Sequence, residues 1–350
     1  MKTIKSLLTI ALFCMAITVH ATVYTVDNHA SAPTPYQTIQ SAVDVASNGD
    51  TIYVQGSGFP YATFTLNKQL VIIGAGANPQ KQNAQASIVT KIILDAAASG
   101  SSIMGFQIPQ KITYVTNNVD NISFIGNYCD GTGQTSCHVR GNNWIVRNNF
   151  FVRGIQIDTA TTAFTCENNV FTIKGIISDN LNPATALSTG AVVIKNNIFL
   201  DNSFGGAAFE NGGGGGRPTG LTVENNIFFG QDPSLCSGCT FNNNISYLCN
   251  NATLPPSSCS GINNVSATDP LFINFPLTGA NYFYGTDCHL QTTSAGHNTG
   301  TDGTDRGIYG SASPFIYGGE PAIPQIKSLD IHNTVVPVGG SLQFNAVSKK

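Results

Sequence analysis

The sequence predicts an all-β protein in which the chain winds through short strands stacked as a solenoid. Three observations carry this prediction. The pair Asn-Asn recurs at the same point of successive β-rich segments, charged residues make up only 10% of the 350 residues, and glycine is abundant, with 36 copies. Because 41% of the residues are apolar, the composition indicates a folded, turn-rich protein and not a disordered chain.

The repeat reads WIVRNNFF (144–151), FTCENNVF (164–171), VVIKNNIF (192–199) and LTVENNIFF (221–229). Its second asparagine falls at Asn127, Asn149, Asn169, Asn197, Asn226, Asn244 and Asn264, in steps of 22, 20, 28, 29, 18 and 20 residues. A recurring step of this size, interrupted by insertions, is typical of a solenoid. The runs on either side of each Asn are short and β-branched, so they are predicted to be strands.

We expect the asparagines to serve the architecture. Asn tolerates the left-handed backbone of tight turns, and coils about 4.8 Å apart would stack each repeated Asn into an amide ladder. Two residues earlier the chain reads Arg147, Glu167, Lys195 and Glu224, whose alternating signs predict a ladder of ion pairs. The alternative is a charged row that grips a polysaccharide.

The N-terminus indicates export. Residues 1–21 combine a basic start at Lys2 and Lys5, the apolar run SLLTIALFCMAI and small residues before position 22, as in a signal peptide. We therefore expect a secreted protein, extracellular or on the cell surface, with the periplasm as the alternative. The formal net charge of −3 argues against a nucleic-acid partner, and no segment is long and apolar enough to predict a membrane span.

An amphipathic helix is predicted in TPYQTIQSAVDVASNGD (34–50), with Thr34 as N-cap, Gln37 completing a capping box and Gly49 ending it. We expect this helix to cover the open end of the solenoid.

The predicted order of segments is a signal peptide (1–21), the solenoid (22–315), a Pro/Gly-rich linker (316–325) and a C-terminal β-hairpin or truncated sandwich-like segment (326–350).

Two segments at the N-terminal end, YQTIQSAVDVASNGDTIYVQGSG (36–58) and FTLNKQLVIIGAG (64–76), resemble the cap and first coils of the pectin-lyase-like superfamily. The segment from DPLFIN to GTDRGIYG (269–310) resembles the closing coil of its secreted members. The resemblance implies a right-handed parallel β-helix. It does not imply one activity, because the superfamily contains pectate lyases, polygalacturonases, pectin esterases, other polysaccharide lyases and non-enzymatic surface proteins. The signature motifs of its enzymes are missing from the sequence, so no catalytic residue is carried over.

A lyase acting on a uronate needs a base and a cationic group beside the developing enolate. The candidates for these roles are His138, Arg140, Arg153 and Lys174. Two long insertions, 175–190 and 201–220, are predicted to wall a groove. The candidates for substrate binding beside them are Asp179, Asp201, Glu210 and Arg217. For the cationic candidates the competing interpretation is solvated charge at strand ends.

Eight cysteines follow the predicted signal peptide, and an even count in an exported protein indicates disulfides. Short loops favour three pairs: Cys129–Cys137, Cys236–Cys239 and Cys249–Cys259. A zinc site at Cys236, Cys239, Cys249 and Cys259 is the alternative for the last four.

No cofactor is expected, with calcium at Asp302 and Asp305 as the alternative to a simple turn. These observations favour a monomeric, glycan-associated protein with a binding, surface or matrix role and no recognisable catalytic site. The alternative is a divergent polysaccharide lyase or glycoside hydrolase acting on an acidic polysaccharide. Whether the protein is an enzyme stays open.

Overall fold

The protein is a parallel β-helix whose strands from successive coils stack into long sheets. The computed structural model describes residues 21–79, 85–114, 118–131, 135–158, 161, 163–179, 192–201, 206–211, 217–275, 286–323, 325–333 and 335–349. Helix α1 spans Ile39–Val45. Two 3-10 turns span Ala96–Ala98 and Tyr317–Gly319.

The strands of the N-terminal half are β1 (Val23–Val26), β2 (Thr51–Val54), β3 (Phe64–Leu66), β4 (Val71–Gly74), β5 (Ser87–Ile88), β6 (Ile92–Leu94), β7 (Ser102–Met104), β8 (Phe106–Ile108), β9 (Thr113–Tyr114), β10 (Ser123–Ile125), β11 (Tyr128–Cys129), β12 (Cys137–Val139), β13 (Trp144–Arg147), β14 (Phe150–Phe151) and β15 (Ile155–Asp158). Those that follow are β16 (Phe164–Glu167), β17 (Val170–Phe171), β18 (Ile176–Asp179), β19 (Val192–Lys195), β20 (Ile198–Leu200), β21 (Phe209–Asn211), β22 (Thr222–Glu224), β23 (Ile227–Phe229), β24 (Thr240–Asn242), β25 (Ile245–Tyr247), β26 (Phe272–Asn274), β27 (Asp287–Leu290), β28 (Gln325–Ile331) and β29 (Phe344–Lys349).

Three sheets form the sides of the helix. The first sheet has the order β1-β2-β4-β7-β10-β13-β16-β19-β22-β24, and the second has the order β25-β23-β20-β17-β14-β11-β8-β5. The third side comprises β3-β6-β9 and β12-β15-β18-β21, with a bridge between Ile112 and Cys137 linking the two parts. Neighbouring strands in these sheets run parallel, as a coil that returns to the same side in each turn requires.

The two asparagines of each repeat have different roles at the corner between the first and second sheets. The first member is left-handed in six coils, with φ between 53° and 58° at Asn148, Asn168, Asn196, Asn225, Asn243 and Asn263. Asn adopts this conformation more readily than most residues with a Cβ, which explains its use at a sharp corner.

The second asparagine forms the predicted amide ladder inside the coil. Asn149 is fully buried; its Oδ1 accepts bonds from the backbone N–H of Asn127 at 2.9 Å and from Asn127 Nδ2 at 3.1 Å. Its own Nδ2 donates to Phe124 O at 2.8 Å and to Asn169 Oδ1 at 3.0 Å. The same pattern continues through Asn197, Asn226, Asn244 and Asn264. The ladder prediction is therefore confirmed.

The second sheet is buried on both faces, which explains why two apolar residues follow each Asn pair. The inward residues Phe151, Phe171, Phe199 and Phe228 stack with ring centroids 5.3, 4.9 and 5.1 Å apart. The residues just before them, Phe150, Val170, Ile198 and Ile227, form a second apolar cluster on the outer face. Ile308 and Phe315, from the segment after β27, complete this outer cluster.

Residues 296–311 form a return segment that lies along the row of left-handed asparagines. Asn168 Nδ2 donates to Ile308 O at 2.8 Å and to Gly310 O at 3.0 Å, and Asn225 Nδ2 donates to Thr301 Oγ1 at 3.0 Å. These contacts join residues as much as 142 positions apart.

The ion-pair row is confirmed where Glu167 lies between two cations. The register places Arg147, Glu167, Lys195 and Glu224 in consecutive strands. The Glu167 carboxylate lies 3.3 Å from Arg147 Nη1 and 2.9 Å from Lys195 Nζ. Glu224 accepts a bond from Asn242 Nδ2 at 3.3 Å, so the pairing ends in an amide contact.

Helix α1 is shorter than predicted, and its N-cap is Thr38 instead of Thr34. Thr38 Oγ1 accepts from the backbone N–H of Ser41, whereas the Thr34 hydroxyl donates to Thr25 O and Tyr36 bridges to Val26. Pairing with β1 thus holds the residues before Thr38 in an extended conformation.

At the C-terminal end, β28 and β29 form an antiparallel hairpin. The boundaries proposed for the linker and this segment remain predictions, and residues 1–20 of the predicted signal peptide lie outside the described residues. Within the described part of the chain, no helix has the length and apolarity needed to cross a membrane.

Candidate functional site

The four catalytic candidates lie on or beside the third side of the helix, which we call the charged face (His138, Arg140, Arg153, Lys174 and Glu210). His138 lies on β12, in register with Gln156, Ile177 and Glu210 of the following coils. Arg153 and Lys174 each lie two residues before paired strand residues, Ile155 and Ile176, and so occupy equivalent points of adjacent coils.

Two cations of the charged face, Lys174 and Arg140, have carboxylate neighbours. Lys174 Nζ lies 2.6 Å from Glu210 Oε2, and Arg140 Nε lies 3.7 Å from Asp158 Oδ2. The Lys174 ammonium group is therefore already engaged by a carboxylate of the protein.

The substrate-binding candidates are dispersed. Glu210 belongs to the pair with Lys174, Arg217 is exposed, and Asp201 Oδ2 accepts from the backbone N–H of Gly206 at 2.8 Å. Asp179 ends β18, in register with Asp158. Most of the two predicted insertions lies outside the described residues, so the groove that they were predicted to wall stays a prediction.

The calcium candidates Asp302 and Asp305 have different partners. Asp302 Oδ1 accepts from the backbone N–H and hydroxyl of Thr304, and Asp305 Oδ1 accepts from the backbone N–H of Asn298. Burial alone would raise the pKa of Asp302, but these Thr304 bonds and the charge of Lys195 lower it overall. Both carboxylates thus have the contacts of turn-forming residues.

A feature that the sequence did not single out lies between β27 and the end of the return segment. It is a cleft of about 590 Å³, which we call the aromatic cleft. Its lining comprises Thr286, Asp287, His289, Asp305, Tyr309, Pro314, Phe315 and Tyr317. The rings of His289 and Tyr309 stack with centroids 3.5 Å apart and planes at 9°, and Phe315 meets Tyr309 edge to face at 6.3 Å.

The polar groups of the cleft are held in defined states. Burial would raise the pKa of Asp287, but bonds from the backbone N–H and the ring of His289 lower it, so this carboxylate is an acceptor at neutral pH. Burial raises the pKa of Tyr309 and of Tyr317, which therefore stay protonated donors. The Asp287 Oδ1 to His289 Nδ1 distance is 2.6 Å, so the carboxylate fixes the orientation of the imidazole.

This cleft combines flat apolar surface with acceptors and donors at its edge. That combination suits a small polar ligand with an apolar face. Only the fold brings its members together, since they come from a strand, a turn and a loop. The one local sequence signal was Asp287-Cys-His289, whose alternation places both side chains on one face of a strand.

The eight cysteines that follow the predicted signal peptide lie within the described residues and are free thiols in the structure. The predicted disulfides are therefore not formed there and stay predictions. Cys166, on strand β16 of the first sheet, is a buried thiol, and Asn169 Nδ2 donates to its sulfur at 3.3 Å.

Three other cysteines converge. The sulfur atoms of Cys236, Cys239 and Cys259 lie within 4.8 Å of one another, and we call them the thiol cluster. Cys249, the fourth member of the zinc set considered from sequence, bonds to backbone oxygens that include Gln231 O at 3.1 Å. A side-chain hydrogen bond from Cys236 lowers the pKa of the Cys239 thiol.

Comparison of the chain with models of known protein families and with curated proteins finds no match. The fold and the side-chain geometry therefore carry the functional argument.

Proposed function

We propose that this protein is an exported, non-catalytic β-helix protein of the pectin-lyase-like kind that binds a glycan in the aromatic cleft. The observation that carries the proposal is the stacked pair of His289 and Tyr309 beside the carboxylate of Asp287. A sugar ring presents an apolar C–H face that packs on an aromatic surface, while its hydroxyls donate to carboxylates and accept from phenols.

The charge balance favours a neutral or weakly acidic glycan. Asp287 and Asp305 both line the cleft, and a uronate carboxylate placed there would be repelled. The cations on the charged face that have carboxylate partners, Lys174 and Arg140, are compensated already.

A glycan array that contains neutral and acidic sugars tests the proposal. Tyr317→Ala and His289→Ala remove partly exposed rings of the cleft, and Phe59→Ala removes an exposed ring near the N-terminal end as a matched control. An aromatic contact is worth about 0.5–1.5 kcal/mol, so each cleft variant should weaken binding by about 2- to 12-fold. Binding that is absent from every glycan, or equally weakened in Phe59→Ala, would contradict the proposal.

A second candidate is a divergent enzyme, either a lyase acting on an acidic polysaccharide at the charged face or a glycoside hydrolase acting in the aromatic cleft. Two carboxylates in one cleft, Asp287 and Asp305, favour hydrolysis, because glycosidases use such pairs. The equivalent positions of Arg153 and Lys174 favour elimination.

Two assays separate these reactions. Release of reducing ends that is lost in Asp287→Asn would establish hydrolysis in the cleft. A rise in ultraviolet absorbance on uronate polysaccharides that is lost in Arg153→Ala or Lys174→Ala would establish elimination. Signals absent from both assays, combined with binding on the array, support the non-catalytic role.

Export has its own test. Expression of the whole gene in a secreting host should yield a chain that begins near residue 22. A chain retained in the cell with Met1 in place would refute it.

A further inference from the structure

The coil architecture places the thiol cluster where two consecutive turns meet. Cys236 and Cys239 precede β24, and Cys259 lies one coil further along. Thr240 and Ser260 form a parallel bridge, so the residues just before them, Cys239 and Cys259, occupy equivalent positions in adjacent coils. The backbone N–H of Ser260 donates to Cys239 O at 3.0 Å, which fixes this register.

The separations match those of ligands around one ion. Cys236 Sγ lies 3.7 Å from Cys259 Sγ, and the three sulfurs lie within 4.8 Å of each other. Sulfurs bound to zinc at about 2.3 Å are separated by about 3.8–4.0 Å in tetrahedral or trigonal geometry. A disulfide needs a separation of about 2.05 Å and would leave the third thiol of this cluster unpaired.

We propose that Cys236, Cys239 and Cys259 bind one soft metal ion, Zn²⁺ or Cu(I), through three thiolates. Thiolates select these ions from the common biological metals. Among the described residues, these three cysteines are the one group of three or more His, Cys, Asp or Glu side chains whose ligand atoms lie within 4.8 Å of one another. Binding transfers thiol protons to solvent, and the cation compensates sulfur charges that would otherwise repel each other in a buried place.

The burial of the cluster also fits a metal site with one open side. Cys236 and Cys239 are each 1% exposed, whereas Cys259 is only partly buried. An ion would therefore enter past Cys259, and a water molecule from that side would complete the four ligands of zinc.

The test uses the full chain, reduced with a phosphine under anaerobic conditions and stripped of metal. Zn²⁺ and Cu(I) are titrated separately against a chromophoric competitor of each ion. We expect one equivalent to bind and X-ray absorption to report three sulfur neighbours. The ion that binds with one equivalent and with three sulfur neighbours is the one that the site selects.

Two variants of the cluster and one control locate the site. Cys239→Ser and Cys259→Ser should each weaken metal binding by more than about 100-fold. Removing a group that only hydrogen-bonds to a metal ligand already weakens binding by up to about 100-fold, and losing a ligand itself should cost more. Cys249→Ser is the matched control, because this thiol is partly exposed yet lies outside the cluster, and it should bind as the parent does.

Two results would overturn the proposal. One is an unreduced chain lighter by two hydrogens, with Cys236 linked to Cys239 or Cys259, because the cluster would then be a disulfide. The other is metal binding that survives in both cluster variants or is lost equally in Cys249→Ser.

Discussion

Asn149 offers the most direct test of the amide ladder. Its side chain is fully buried, and both ends of the amide are used. The oxygen accepts two bonds from Asn127, and the nitrogen donates to Phe124 O and Asn169 Oδ1 at 2.8 and 3.0 Å. Asn149→Asp changes the shape little but replaces this donor nitrogen with an oxygen that faces two acceptors.

The expected loss follows from those two contacts. Each buried acceptor left without a donor costs about 1–3 kcal/mol, so Asn149→Asp should lower the free energy of unfolding by about 2–6 kcal/mol at pH 7. The first member of a pair contributes a left-handed backbone conformation, which Asp tolerates, and at Asn168 and Asn225 it also bonds to the return segment.

The control is Asn143→Asp in the same coil. Asn143 is also left-handed, with φ 59°, and donates to Asn121 Oδ1 at 3.1 Å, but its side chain is exposed to water. Because solvent can replace the lost bond, we expect a change below about 1 kcal/mol. Urea denaturation monitored by circular dichroism measures both variants.

The pH dependence of Asn149→Asp gives a second readout. Burial raises the pKa of a carboxyl at this position above its unfolded value near 3.9. The loss in free energy of unfolding caused by Asn149→Asp should therefore grow as the pH rises from about 4 through the raised folded pKa. It should shrink in acid, where the protonated carboxyl can donate one hydrogen bond. A deficit that equals that of Asn143→Asp, or that does not change with pH, would refute the ladder argument.

Three further predictions concern other parts of the fold. Arg147→Glu places a carboxylate beside Glu167, which is 8% exposed, and should lower the free energy of unfolding by about 2–4 kcal/mol; Glu167→Gln as a second change should recover much of it, as a double-mutant cycle would show. Gly154→Ala puts a Cβ 2.1 Å from Gly175 O, so its melting temperature should fall well below that of Gly303→Ala, where the Cβ meets nothing within 4 Å; equal melting temperatures would contradict this. The folded pKa of Asp302 lies below its ordinary 3.8, so its contribution is present above that pH and lost as the pH falls through the folded value; Asp302→Asn should flatten the acid limb of a pH–stability curve, and an unchanged limb would count against it.

The ladders could be predicted from the sequence because residues at equivalent positions of the repeat lie directly above one another in stacked coils. Once Asn149 and Asn169 are aligned, their neighbours Arg147 and Glu167 must also be adjacent, and the register agrees. Such predictions need only the repeat and the spacing between coils.

What sequence could not show depends on contacts between distant parts of the chain. In the sequence the two asparagines of a pair look equivalent. The structure distinguishes them, because the first one, as at Asn168, donates its side-chain N–H to the return segment at Ile308 O. The N-cap was misplaced for the same reason, because Thr34 has good local capping chemistry but its hydroxyl bonds to a neighbouring strand. Local propensity was outweighed by pairing.

The candidate sites follow the same division between periodic and non-periodic residues. Where the repeat is regular, a charged side chain such as Glu167 is paired with side chains of the adjacent coils. It is therefore not available to bind a ligand. Groups free to meet a ligand should therefore lie where the period is broken. The aromatic cleft lies where the chain leaves the coils, and the thiol cluster joins a loop cysteine, Cys236, to cysteines of two successive coils. Neither is visible as a repeat, which is why a search by period alone passes over both.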